Sequence, residues 1–133
     1  MPHPTDTLIL NNKIVITPLL KAQQAFHEAL ATAKSQLEKD GAIQRFEFSF
    51  ELAWKTMKRV LKEQGVIVNN PRDTFRLAAQ NGMIDNPNDW FQFLDDRNRT
   101  THIYEKLVAD EIFSHLAGFG LALDALIAYL VTL

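Results

Sequence analysis

The chain has no cysteine, which excludes disulfides, thiolate zinc sites and cysteine nucleophiles together. It also has no glycine-rich phosphate loop and no Gly-x-Ser-x-Gly elbow, so P-loop nucleotide hydrolysis and acyl transfer have no support in it. A basic excess is missing too: 14 Lys and Arg stand against 16 Asp and Glu, for a net charge of −2. Nucleic-acid-binding domains usually carry a broad positive footprint, so any such contact here must be local. No uninterrupted apolar run reaches the roughly 18 residues of a membrane-spanning helix. The segment from Leu116 to Leu133 comes closest, but Asp124 interrupts it, and it reads as a buried helix. The first residues, Met1-Pro2-His3-Pro4-Thr5-Asp6, lack a positive region followed by an apolar core and a cleavage site. A cytoplasmic location without membrane attachment is the expectation.

What is present is a strongly helical pattern. With 133 residues, 47% of them hydrophobic, the chain is long enough to bury a core as one domain. The expectation is a single domain over 1–133, with a loosely ordered or strand-like arm at about 1–16. Thr17-Pro18 reads as an N-cap and a proline at the first helical position. The first helix is expected to run to about Lys39 on the stripe Leu19, Ala22, Phe26, Ala29, Leu30, Ala33 and Leu37. Asp40-Gly41 then reads as a break. From Ile43 to about Gln64 the stripe Ile43, Phe46, Phe50, Ala53, Met57, Val60 and Leu61 predicts a second helix, stopped by Gly65. Glu47, Glu51, Lys55 and Arg59 form a row on another face, either a solvated ladder or a surface for a partner helix or for Arg97, which its acidic residues could hold in position. Phe48 lies off the buried stripe and is the aromatic expected to face another subunit.

Asn70-Pro71-Arg72-Asp73 and Asn86-Pro87-Asn88-Asp89 repeat one device, an asparagine cap, a proline at N1 and an aspartate near the positive helix end. Each predicts a helix start. The first of these helices ends near Asn81-Gly82, and the second delivers Arg97 at its last turn. Thr100 and Thr101 then read as N-caps of a final helix to about Leu130, on the stripe Ile103, Leu107, Ile112, Leu116, Phe119, Leu123, Leu126 and Leu130. Gly118 and Gly120 mark close helix approach within it.

The densest polar chemistry lies between Asp96 and Glu105. Arg97 can grip a phosphate through two N–H groups, and His102 supplies an imidazole, the side chain whose unperturbed pKa lies nearest neutrality. Together they form a minimal device for cleaving RNA without a metal: the imidazole takes the proton of a ribose 2′-hydroxyl, and the guanidinium stabilises the phosphorane-like transition state. The alternative is structural, with both side chains satisfying backbone carbonyls or a carboxylate such as Asp95 or Asp96. If His102 sits in the first turn of the last helix, free N–H groups there attract an anion and favour the neutral imidazole. His102 with Glu105, and Glu111 with His115, have helical spacing for metal ligation. The Glu-x-x-His pairs of a di-iron bundle are absent, and neither a metal nor a cofactor is expected. His27 is expected to be solvated or at a boundary.

Three stretches together carry a resemblance: Ile43-Gln44-Arg45-Phe46-Glu47-Phe48-Ser49-Phe50-Glu51-Leu52-Ala53-Trp54-Lys55, then Pro71-Arg72-Asp73, then Arg97-Asn98-Arg99-Thr100-Thr101-His102-Ile103-Tyr104. They are similar to HEPN-domain proteins of the HepT type, also labelled nucleotidyltransferase substrate-binding proteins. The similarity spans about 17–130, and its most specific element is the arginine, four residues, histidine, one residue, tyrosine arrangement with Asn98 beside Arg97. The resemblance implies an all-α, up-and-down bundle of four to five helices that forms a homodimer with two motifs facing one cleft. It implies a metal-independent endoribonuclease toxin of a type VII-like toxin–antitoxin pair, with Arg97 and His102 catalytic and Asn98 supporting. It further implies a cognate MntA-type nucleotidyltransferase as antitoxin, which transfers AMP to Tyr104. Arg72, Arg76, Arg99 and Lys106 are candidates for steering RNA. A second reading is a noncatalytic nucleotide- or partner-binding subunit of that nucleotidyltransferase, which the net negative charge favours.

Overall fold

The computed structural model describes His3 and the residues from Thr5 to Leu133. Five α-helices make the body: α1 (Thr17–Thr32), α2 (Gln36–Glu63), α3 (Pro71–Gln80), α4 (Pro87–Arg99) and α5 (Lys106–Leu130). They are preceded by a two-residue hairpin, β1 (Leu8–Ile9) against β2 (Ile14–Val15), paired antiparallel with Leu8 opposite Val15. The fold is an all-α bundle, and the hairpin is its one departure among the described residues. Ile9, Ile14 and Ile16 are buried in the main core, and Leu10 N–H donates to the Leu133 carbonyl at 3.2 Å. The segment read as an arm is thus tied to the far end of α5.

Capping chemistry explains most helix boundaries. Asn70 and Asn86 accept from the backbone N–H of Asp73 and Asn88, respectively, and each is followed by the proline that opens its helix. Gly65 and Gly82 take positive φ, 85° and 78°, just beyond α2 and α3, a conformation that costs glycine nothing.

The first two helices divide differently from what periodicity predicts. α1 ends at Thr32, and Ser35 opens α2 through a reciprocal capping box with Glu38. Asp40 and Gly41, read as a break, lie inside α2. Leu37, assigned to the buried stripe, is 82% exposed. Ser35-x-x-Glu38 satisfies two orphan N–H groups at once, which outweighs an apolar repeat that happens to continue across the junction.

The stripe of α2 is buried as expected from Ile43 to Leu61. Its rings meet those of α3, α4 and α5 in one aromatic cluster that Phe26 of α1 joins through Phe119. Phe119 is its hub, edge-on to Phe46 at 4.8 Å, Phe93 at 5.2 Å and Phe26 at 5.3 Å between ring centroids. By length and composition α5 is apolar enough to cross a membrane, but its stripe from Ala109 to Leu130 is buried against the other helices. Gly120 lets α1 approach, because a Cβ there would meet His27 Cε1 at 3.1 Å and Phe26 Cε2 at 3.2 Å. Gly118, read the same way, has nothing within 4 Å. Leu107, assigned to the α5 stripe, is 84% exposed.

Candidate functional site

The polar stretch forms the corner between α4 and α5, and its backbone differs from the expected one. α4 continues from Arg99 into a 3₁₀ turn over Thr100–His102. Thr100 does not cap forward: its hydroxyl donates back to the Arg97 carbonyl at 2.8 Å. α5 starts only at Lys106, after Glu105, which makes no side-chain cap. His102 therefore belongs to the C-terminal end of α4, and the free N–H groups of α5 begin beyond it. The expected support of His102 by a helix start does not apply.

Arg97 leaves the last turn of α4 and reaches back to α2. Its Nη2 pairs with Glu51 Oε1, its guanidinium lies 5.7 Å from the Phe50 ring centroid, and Nη1 donates to Asn98 Oδ1 at 3.5 Å. Among the described residues its buried Nε has no hydrogen-bond partner. Glu51 also accepts from Trp54 Nε1 at 3.1 Å and lies 3.7 Å from Lys55 Nζ. The acidic row on α2 thus supports the motif arginine, one of the two readings the sequence allowed.

His102 and Tyr104 stand together at the surface. His102 Nδ1 is 3.2 Å from the Tyr104 hydroxyl, their rings meet edge-on, and Tyr104 is 77% exposed. Among the described residues Arg97 and His102 make no hydrogen bond to each other.

Two pairs that the sequence reading missed fix the corner. Asp96, 2% exposed, accepts from His115 Nδ1 on α5 at 2.8 and 3.0 Å. Burial pushes the Asp96 carboxyl above its usual range, against the opposing pull of His115. One turn on, Arg99 donates two N–H groups to Glu111 at 2.9 and 3.1 Å. That bidentate contact lowers the Glu111 carboxyl and raises the Arg99 guanidinium. Asp95 and Asp96, suggested as partners for Arg97 or His102, instead hold Arg72 at 3.6 Å and His115. Glu111 and His115, weighed as metal ligands, are each committed to a side chain of α4.

The four candidate RNA-steering cations are all matched to carboxylates: Arg72 to Asp95, Arg76 to Asp73, Arg99 to Glu111 and Lys106 to Asp110. His27, at a boundary as expected, pairs with Asp124 at 2.7 Å, and Gln23 donates to the same oxygen. Phe48 is 57% exposed.

The all-α bundle is a fold shared with known proteins, and sequence comparison gives a family. Residues 15–132 match the nucleotidyltransferase substrate binding protein like family. The chain belongs to that family. A curated relative, the "Probable ribonuclease HepT" of Haemophilus influenzae, is 33% identical over 84 residues, covering 59% of this chain and 58% of the relative. The match thus spans a little over half the length of that relative. A crystal structure from Thermus thermophilus superposes with a TM-score of 0.80 at 30% identity, covering 84% of this chain and 98% of that one. A Haemophilus influenzae structure, described as the fold of a substrate binding domain of a nucleotidyltransferase, gives a TM-score of 0.73 at 26% identity with the same coverages.

Proposed function

We propose that this protein is a metal-independent endoribonuclease toxin, silenced by adenylylation of Tyr104 by a cognate MntA-type nucleotidyltransferase. The observation that carries the reading is the pairing of an exposed imidazole with an exposed phenol, His102 Nδ1 to Tyr104 Oη at 3.2 Å, in the turn that follows Arg97. His102 takes the proton of a ribose 2′-hydroxyl, the 2′-oxygen attacks phosphorus, and the 5′-oxygen leaves and regains a proton from His102 or its mate in a homodimer. Arg97 turns from Glu51 to the phosphate as charge builds there. Asn98 holds the guanidinium in the meantime.

The same geometry accounts for silencing. Attack of the Tyr104 hydroxyl on the α-phosphate of ATP releases pyrophosphate and leaves an adenylate beside His102. Its negative charge repels an RNA backbone and occupies the phosphate position. The relative named a ribonuclease supports the nuclease part of the reading, and the family's description supports a nucleotidyltransferase partner.

A noncatalytic docking subunit is the second reading. It is favoured by the exposure of Leu107 beside Tyr104 and by the carboxylate already bound to Arg97. Intact-mass measurement after co-expression with the cognate nucleotidyltransferase tests the silencing step. Adenylate additions that disappear in Tyr104→Phe are expected, and an unchanged wild-type mass would leave neutralisation to binding alone.

A further inference from the structure

The four cations suspected of steering RNA are neutralised by carboxylates, but a different row is not. A groove of about 480 Å³ beside the C-terminal half of α2 is lined by Trp54, Lys55, Lys58, Arg59, Lys62 and Ile67, with no acidic residue in its wall. Among the described residues no carboxylate lies within ion-pair distance of Lys58, Arg59 or Lys62. Their spacing from Lys55 (three, four and seven residues) puts them on one helix face. From Lys55, which is paired with Glu51, the row runs about 10 Å along the axis to Lys62, and its unpaired part from Lys58 to Lys62 about 6 Å, at 1.5 Å per residue.

We infer that this groove holds the sugar–phosphate backbone of a single-stranded RNA and leads it to Arg97; the inference rests on the nuclease reading above. Three observations carry it. A row of cations of that length fits a succession of phosphates, not one isolated anion. The half-buried Trp54 among the cations offers an aromatic face for a base, the combination that binds single strands without reading sequence. The groove is also continuous with the site: Lys55 and Trp54 share Glu51 with Arg97, so a strand lying on Lys62 and Lys58 and continuing past Lys55 reaches the guanidinium about two helical turns beyond Lys58. In a chain of net charge −2 this is the local basic surface that RNA contact requires.

The test uses the full-length protein carrying His102→Ala, so that bound RNA survives, with a labelled uridine oligonucleotide titrated by fluorescence anisotropy at several salt concentrations. Lys58→Ala/Lys62→Ala is expected to weaken binding roughly tenfold at low salt. It should also flatten the plot of log K against log salt by about 1.4, at roughly 0.7 for each phosphate no longer neutralised. Lys21→Ala/Lys34→Ala removes the same charge elsewhere and should leave the slope unchanged. Equal slopes for the two double variants overturn the groove. So does a Lys58/Lys62 variant that keeps the RNA slope but loses the nucleotidyltransferase, because the groove then belongs to a protein. If the wild type binds RNA through the groove but cleaves none, the groove stands and the nuclease reading falls. If it cleaves and the slopes are equal, the reverse holds.

Discussion

Asp96 is the residue on which the corner's stability most clearly turns. Its carboxylate is 2% exposed and accepts from His115 Nδ1 at 2.8 and 3.0 Å, tying the last turn of α4 to the middle of α5. A hydrogen bond to a charged group contributes about 1.5–3 kcal/mol. Asp96→Ala removes it, leaves His115 unpartnered on that side and relieves the cost of burying a charge. The expected net loss is about 2 kcal/mol, a fall in Tm of roughly 6–10 °C for a domain of this size. Asp96→Asn keeps an acceptor for His115 and carries no charge, so it should cost about 1 kcal/mol or less. Because burial raises the Asp96 carboxyl in the folded state, the native protein holds its proton to higher pH than the unfolded chain does. The wild-type stability advantage over Asp96→Asn is therefore largest below the usual carboxylate range. It declines as pH rises through the raised value. Thermal melts of the three proteins from acid to neutral pH measure both effects. A difference that grows with pH, or an Asp96→Ala protein as stable as wild type, would refute the reasoning.

Further outcomes follow from the packing. Gly118→Ala, with nothing within 4 Å of the new Cβ, should stabilise by about 0.5–1 kcal/mol through helix propensity alone. Gly120→Ala meets Phe26 and His27 at 3.2 and 3.1 Å and should show no such gain in denaturant titrations; equal gains would contradict the packing. Phe119→Ala, at the centre of the ring cluster, should lose about 3–5 kcal/mol, and a loss under about 1.5 kcal/mol would mean that the cluster does not hold the bundle together.

Much of the bundle is legible in the sequence because its local signals agree with its tertiary contacts. The Asn-Pro pairs at 70–71 and 86–87 cap the helices they announce, and the α2 stripe is buried from Ile43 to Leu61. Where two local signals compete, the reading fails. The apolar repeat runs on past Ala33, and only the Ser35/Glu38 box shows that a new helix starts. Thr100 looks like a forward cap, but its hydroxyl turns back to Arg97 and keeps the chain wound into a 3₁₀ turn. The pairs that fix the corner are a different matter. Asp96 to His115 and Arg99 to Glu111 join residues on separate helices, and no spacing rule within one helix finds them. The contact of Glu51 with Arg97 was within reach because the acidic residues of α2 invited that arginine, although the sequence does not say whether Glu47 or Glu51 takes it.

The most direct measurement is cleavage of single-stranded RNA by purified protein in excess EDTA, with wild type, Arg97→Ala and His102→Ala compared at equal, verified folding. Cleavage by wild type, unaffected by chelation and reduced at least about a hundredfold in each variant, is the predicted result. Equal cleavage by all three proteins, or cleavage that stops when EDTA is added, would contradict the account.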